Sequence, residues 1–259
     1  MVNALDFWML AGGLLLAIIV SLEVGRRIGI HRQRIDPDGA NTGLGALEGA
    51  VYGLMGLLIA FTFSGAATRF DARRELIGQE ANTIGTAYLR VDLLPQAAQA
   101  ALRQDFRDYI DLRIKIFRSV RLDYNAAVQD YARSVDVQNK IWAEAVAATR
   151  EQNSPAVTTL VLSSLNDMID ITTTRSVATQ MHPPSVVFYG LGLLVIATSL
   201  LAGYGMAGSK HRSWMHMTVY ALIMASTLYV ILDMEYPRFG LIRVDAADQL
   251  LIDVRSNMK

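Results

Sequence analysis

Residues 43–90 read GLGALEGAVYGLMGLLIAFTFSGAATRFDARRELIGQEANTIGTAYLR, and this stretch decides the fold. Its first 21 residues, Gly43 to Phe63, hold a single charge, Glu48. That is enough apolar length for an α-helix to cross a bilayer. No proline stands between Gly43 and Pro95, so the helix can leave the membrane and continue as a polar, arginine-rich rod. Within it runs a four-residue ladder: Gly45, Gly49, Gly53, Leu57, Phe61, Gly65, Arg69. Two readings of the ladder stay open. Small residues four apart let helices pack closely in lipid. The same face can instead line a pore, narrow at Leu57 and Phe61 and basic at its mouth. A period of four drifts around a helix of 3.6 residues per turn, so the ladder cannot all face one way on a straight helix. Glu48, an ionisable group near the start of a span, is a functional candidate in its own right.

Working outward, Ala4 to Val24 is a second span, with Arg26-Arg27 after the apolar run rather than before it, unlike a signal peptide. Pro37 and Gly39 signal a turn before the organising helix. Residues 66–182 are mostly helix formers. Apolar residues such as Leu102, Phe106, Tyr109, Ile110, Ile114 and Phe117 recur there at helical spacing. Three or four long helices are expected, broken near Leu94-Pro95, Leu122–Asn125 and Asn153–Pro155. Pro183-Pro184 ends this domain. A third span follows over Ser185–Ala207, then a short loop with Lys210, His211 and Arg212, then a fourth span over Trp214–Leu232. The tail turns at Pro237 and Gly240 and ends in a short amphipathic segment.

The expected fold is therefore all-α: four transmembrane helices with a helical domain inserted between the second and third. The divisions are 1–65 and 183–234 in the membrane, and 66–182 and 235–259 outside it. Four spans put both termini and the inserted domain on one side. The positive-inside rule does not choose which side, because each carries six Lys/Arg close to the span ends.

The composition narrows function by exclusion. The chain is 52% hydrophobic, and its 24 basic and 24 acidic residues give no net charge and no basic groove for nucleic acid. Cysteine is absent, which removes disulfides, thiolate metal sites and cysteine nucleophiles. His31, His182, His211 and His216 fall in no metal-binding spacing, and no catalytic motif is visible, so neither enzyme activity nor a cofactor is expected.

The run LLIAFTFSGAATRFDARR (57–74) resembles the second transmembrane helix of bestrophin anion channels, with Ala60-Phe61-Thr62 where those channels carry Gly-Phe-Arg and Arg69-Phe70 on their Arg-aromatic pair. EYPRFGLIRVDAADQL (235–250) is similar to the segment after their last span. Over nearly its full length the chain looks like the bacterial bestrophin-like domain proteins, through RFDARREL, EANTIGTAYLR, LNDMID, HPP and ILDMEYPRFGLIRV. The resemblance implies a homo-oligomeric, pentameric ion channel in the bacterial inner membrane, with the inserted domain and both termini cytoplasmic. It places the pore neck at Gly53, Leu57 and Phe61 and the mouth at Arg69, Arg73 and Arg74. It favours anions, chloride among them, as the permeant species. Asp245 and Asp248 are too few for a calcium site. The alternative is a non-conducting membrane sensor or scaffold whose helical domain binds a partner, with Gly45 and Gly49 packing against a neighbouring helix.

Overall fold

The computed structural model describes residues 4–36, 44–120, 122–209 and 212–258, and every regular element among them is helical. In chain order these are α1 (Ala4–Ile35), α2 (Leu44–Arg90), α3 (Gln96–Ser119), α4 (Tyr124–Gln152), α5 (Pro155–Gln180), α6 (Ser185–Gly205), α7 (Trp214–Glu235) and α8 (Asp245–Ser256). Short 3-10 turns follow α2 and α6. Four segments are long and apolar enough to cross a membrane: Trp8–Ile35, Gly45–Leu93, Pro155–Gly208 and Trp214–Glu235. In the third, the apolar part is α6, set off from α5 by Pro183-Pro184. The turn expected at Pro37 and Gly39, with Lys210 and His211, lies outside the described residues.

The helix breaks follow from local chemistry. Leu94 is extended, as the residue before a proline prefers, and Pro95 caps α3. Asp123 caps α4 by accepting the Ala126 N–H at 3.0 Å. α4 closes on Asn153 at φ 45°, a left-handed stop, and Pro155 opens α5 at a position where its missing N–H costs nothing.

The chain forms two compact units. The first comprises Met1–Arg69 and His182–Ile242. Its core holds Ile18 and Leu22 of α1, Met55 of α2, Leu191 and Val195 of α6, and Met217 and Ala221 of α7. α1 and α6 press together through glycines. A Cβ on Gly25 would fall on the Leu200 carbonyl, and one on Gly203 would fall on the Leu22 carbonyl. Gly29 meets the backbone of Tyr204 in the same way. Small residues permit this approach where lipid supplies no hydrophobic drive for helix association.

The second unit comprises Phe70–Met181 and Arg243–Lys259. Leu102, Phe106 and Tyr109 of α3, Ile141 of α4, and Leu165 and Met168 of α5 form its centre, joined by Leu251 and Met258 of the tail. A charged cluster lies inside it. Glu80 is fully buried; its Oε1 accepts the Arg113 Nε–H at 2.6 Å and its Oε2 accepts from Arg175. Arg175 also donates to Asp248 of α8 at 3.2 Å and lies 3.6 Å over the Phe117 ring. Burial pushes the Glu80 carboxyl up, but the two guanidiniums outweigh it and hold the group below its ordinary value. Nearby, burial pushes the Tyr109 hydroxyl up to about 12; it is hydrogen-bonded to Thr172 and accepts from Gln138, each at 2.9 Å.

Candidate functional site

α2 is an unbroken helix of 47 residues, about 70 Å long at 1.5 Å per residue. In the first unit, its buried residues are Met55 and Ala66, with Tyr52 and Ile59 packed partly beside them. These positions share one stripe at 3.6-residue periodicity. Thr198 of α6 donates its hydroxyl to Met55 Sδ at 3.1 Å. Gly53, Leu57 and Phe61 project on the opposite side, with Leu57 51% and Phe61 66% exposed. An open apolar groove of about 560 Å³ runs beside them, lined by Leu54, Leu58 and Thr62 of α2 and by Val186, Gly190 and Leu194 of α6.

Gly45 and Gly49, expected at a helix contact, are exposed, and a Cβ on either, or on Gly53, would meet nothing within 4 Å. No described helix of the same chain approaches this face. Close glycine packing occurs instead at Gly25, Gly29 and Gly203, which the sequence reading passed over although Gly25 and Gly29 stand four apart. Glu48 is half-buried, with its carboxylate beside Gly205 at the end of α6.

The three arginines expected at the mouth have different surroundings. Arg69 is bound to Glu235, which is fully buried at the end of α7; its Nε donates at 2.8 Å. The Glu235 carboxylate also faces His182 Nδ1 at 3.3 Å, and the His182 ring stacks on Tyr236. Arg73 is buried, and its guanidinium donates to the carbonyls of Ala178 at 3.1 Å and Met181 at 2.9 Å. It thereby serves the C-terminal carbonyls of α5, which have no partner within their own helix. Arg74 is exposed, 3.5 Å from Asp71, with its side chain over Phe70. The ladder drifts off its face, as 3.6 residues per turn requires: Gly65 is half-buried, and Arg69 reaches Glu235.

One exposed stripe of α2 steps by three or four residues. Leu57, Phe61, Ser64 and Thr68 are exposed in the first unit, and Asp71, Glu75, Gln79 and Asn82 in the second. The opposite side of α2 in the second unit carries the buried Arg73, Ile77, Glu80 and Ile84. In the first unit this stripe passes from apolar to hydroxyl, and in the second it carries acids and amides.

The model of the bestrophin-like domain matches residues 12–248 of this chain. The chain belongs to the bestrophin-like family. Two crystal structures of a bacterial bestrophin homologue from Klebsiella pneumoniae, each carrying a single mutation, share 15% identity with it. They match with TM-scores of 0.69 and 0.68, covering 95% of this chain and 97% and 100% of theirs. The crystal structure of another single mutant, described only as a membrane protein, matches at 14% identity and TM-score 0.70, over 93% of this chain and 95% of that one. Comparison with curated proteins gave no match. The bestrophin-like fold accounts for the four apolar segments and the helices inserted between the second and third, and fold and family together support a bestrophin-type channel.

Proposed function

We propose that this bestrophin-like protein is a homo-oligomeric ion channel in which α2 lines a central pore. The carrying observation is the bare face of α2. Leu57 and Phe61 are large apolar residues left half or more exposed by the described residues of their own protomer, on a helix whose other side is packed. Symmetric assembly, as a pentamer, would bring copies of this face around one axis, and the apolar groove beside it offers a seat for a neighbouring subunit. A ring of Leu57 and Phe61 side chains is a neck that gates by dewetting, and Gly53 leaves the end beyond it wider. The helical unit lies on the cytoplasmic side of the bacterial inner membrane.

Selectivity in this proposal departs from the anion preference that the resemblance favours. With Arg69 bound to Glu235 and Arg73 given over to backbone carbonyls, the exposed charges on α2 past the neck are Asp71, Arg74 and Glu75. Each subunit then contributes a net negative charge, and rings of acid favour cations.

Liposomes containing the purified protein test both parts. Potassium flux exceeding chloride flux, enlarged by Phe61→Ala, is the expected result. Replacing both acids, Asp71→Asn with Glu75→Gln, is expected to reduce the preference for potassium without abolishing flux. No flux of either ion from wild type and Phe61→Ala alike, or a monomer by mass, would end the channel reading. Flux that favours chloride in the wild type would end only the cation assignment.

A further inference from the structure

α1 is 32 residues long, about 48 Å, against a hydrocarbon core of about 30 Å, so its last turns stand at or beyond the membrane surface. One side of α1 meets α6 through Leu22, Gly25 and Gly29. The other side is bare, and its polarity is ordered. Leu16, Val20, Val24 and Ile28 are exposed along it, and Arg27, His31 and Arg34 follow on the same side, all exposed. At this end of the first unit five arginines (Arg26, Arg27, Arg32, Arg34, Arg212) meet three carboxylates among the described residues, Glu23, Asp36 and Glu48, the last beside Gly205 of α6. Glu23 accepts from Arg27 Nε at 2.9 Å and from Arg212 at 2.7 Å, and Asp36 lies 3.7 Å from Arg32. Arg34 has no ion pair among the described residues, and Arg27, 74% exposed, keeps donors beyond the one it gives to Glu23. Trp214, exposed at the start of α7 beneath the Arg212 guanidinium, is the kind of residue that marks a lipid–water boundary.

We propose that this end of α1 is a binding site for anionic phospholipid, with acyl chains along Val20, Val24 and Ile28 and the phosphate headgroup at Arg27 and Arg34. The order of polarity along the helix, apolar then cationic, matches that of a phospholipid from chain to head. The surplus of arginine over carboxylate selects a headgroup of net negative charge over a zwitterionic one. This inference does not depend on ion conduction.

The full-length protein in neutral detergent is titrated with phosphatidylglycerol or with phosphatidylcholine of the same acyl chains, and thermal unfolding and lipid retention by native mass spectrometry are followed. Phosphatidylglycerol is expected to stabilise saturably and to be retained, and phosphatidylcholine is not. Each arginine removed is expected to weaken retention about five-fold, the equivalent of about 1 kcal/mol per basic residue at a membrane surface. Arg27→Gln with Arg34→Gln should therefore lose roughly 25-fold, and the Lys pair at the same positions should keep most of the affinity. Equal responses to the two lipids in the wild type, or unchanged retention in the double Gln variant, would overturn the proposal. So would inorganic phosphate reproducing the stabilisation at the same concentration, since that would make the site one for a free anion. The wild-type comparison stands even if the Gln variant fails to fold.

Discussion

Replacing Glu80 by Gln should destabilise the helical unit more than any single surface change, because it removes the anion from a buried cluster and leaves both cations behind. Arg113 and Arg175 are almost fully buried. After the substitution, Arg175 retains Asp248 at 3.2 Å, while Arg113 keeps no carboxylate among the described residues. Breaking a buried ion pair from one side costs about 3–5 kcal/mol, since the remaining charge has neither water nor partner. For a chain of this size 1 kcal/mol moves the melting temperature by roughly 2–4 °C, so a drop of about 6–20 °C is expected in a thermal scan of the detergent-solubilised protein. The pH dependence has a defined sign. The folded-state carboxyl is held below its ordinary 4.5, so its stabilisation is complete above 4.5 and is lost as pH falls through the depressed folded value. The gap between wild type and Glu80→Gln should therefore be widest above pH 4.5 and narrow below it. Replacing Glu80, Arg113 and Arg175 together by apolar residues of similar volume should cost far less than Glu80→Gln alone. A Glu80→Gln protein that melts within about 2–4 °C of wild type at neutral pH would refute the reasoning.

Gly203→Ala places a methyl on the Leu22 carbonyl and should cost about 1–3 kcal/mol as overpacking, read as a lower melting temperature; Gly49→Ala, whose Cβ would meet open space in the protomer, should leave the monomer's stability nearly unchanged. Gly240→Ala drives a Cβ into the Asp233 carboxylate, whose Oδ2 accepts the Leu241 and Ile242 N–H groups at 2.9 and 2.8 Å. Displacing that buried acceptor should cost about 1–3 kcal/mol, visible as faster amide exchange at 241 and 242.

Hydropathy made the spans legible, and the prolines made the helix breaks legible, because both are local. Pro95, Pro155 and Pro183-Pro184 act on their immediate neighbours, and the observed ends of α3, α5 and α6 stand at them. What the arginines of α2 do could not be read, because their partners are far along the chain. Arg69 meets Glu235, 166 residues away, and Arg73 meets carbonyls 105 and 108 residues away. A run of basic residues after a span gives no sign of which distant groups it will meet. The glycine ladder stayed ambiguous for another reason. Small residues at four-residue spacing show that a helix can be approached closely, but not which helix approaches it. At Gly45, Gly49 and Gly53 of α2 a Cβ would meet nothing within 4 Å among the described residues, whereas the shorter pair Gly25 and Gly29 on α1 meets α6 directly. The exposed stripe was present in the sequence, but serine, threonine, aspartate and glutamate carry no periodic apolar signal to mark it.

The reciprocal contact of α1 and α6 also fixes their register. Each helix presses a carbonyl oxygen onto a glycine of the other, Leu22 onto Gly203 and Leu200 onto Gly25. Sliding either helix by one residue, about 1.5 Å, would bring a side chain to a place where only a hydrogen fits. The two helices can therefore tilt or travel as a keyed pair but cannot ratchet past each other. Motion between helices of the first unit is therefore left to α2 and α7.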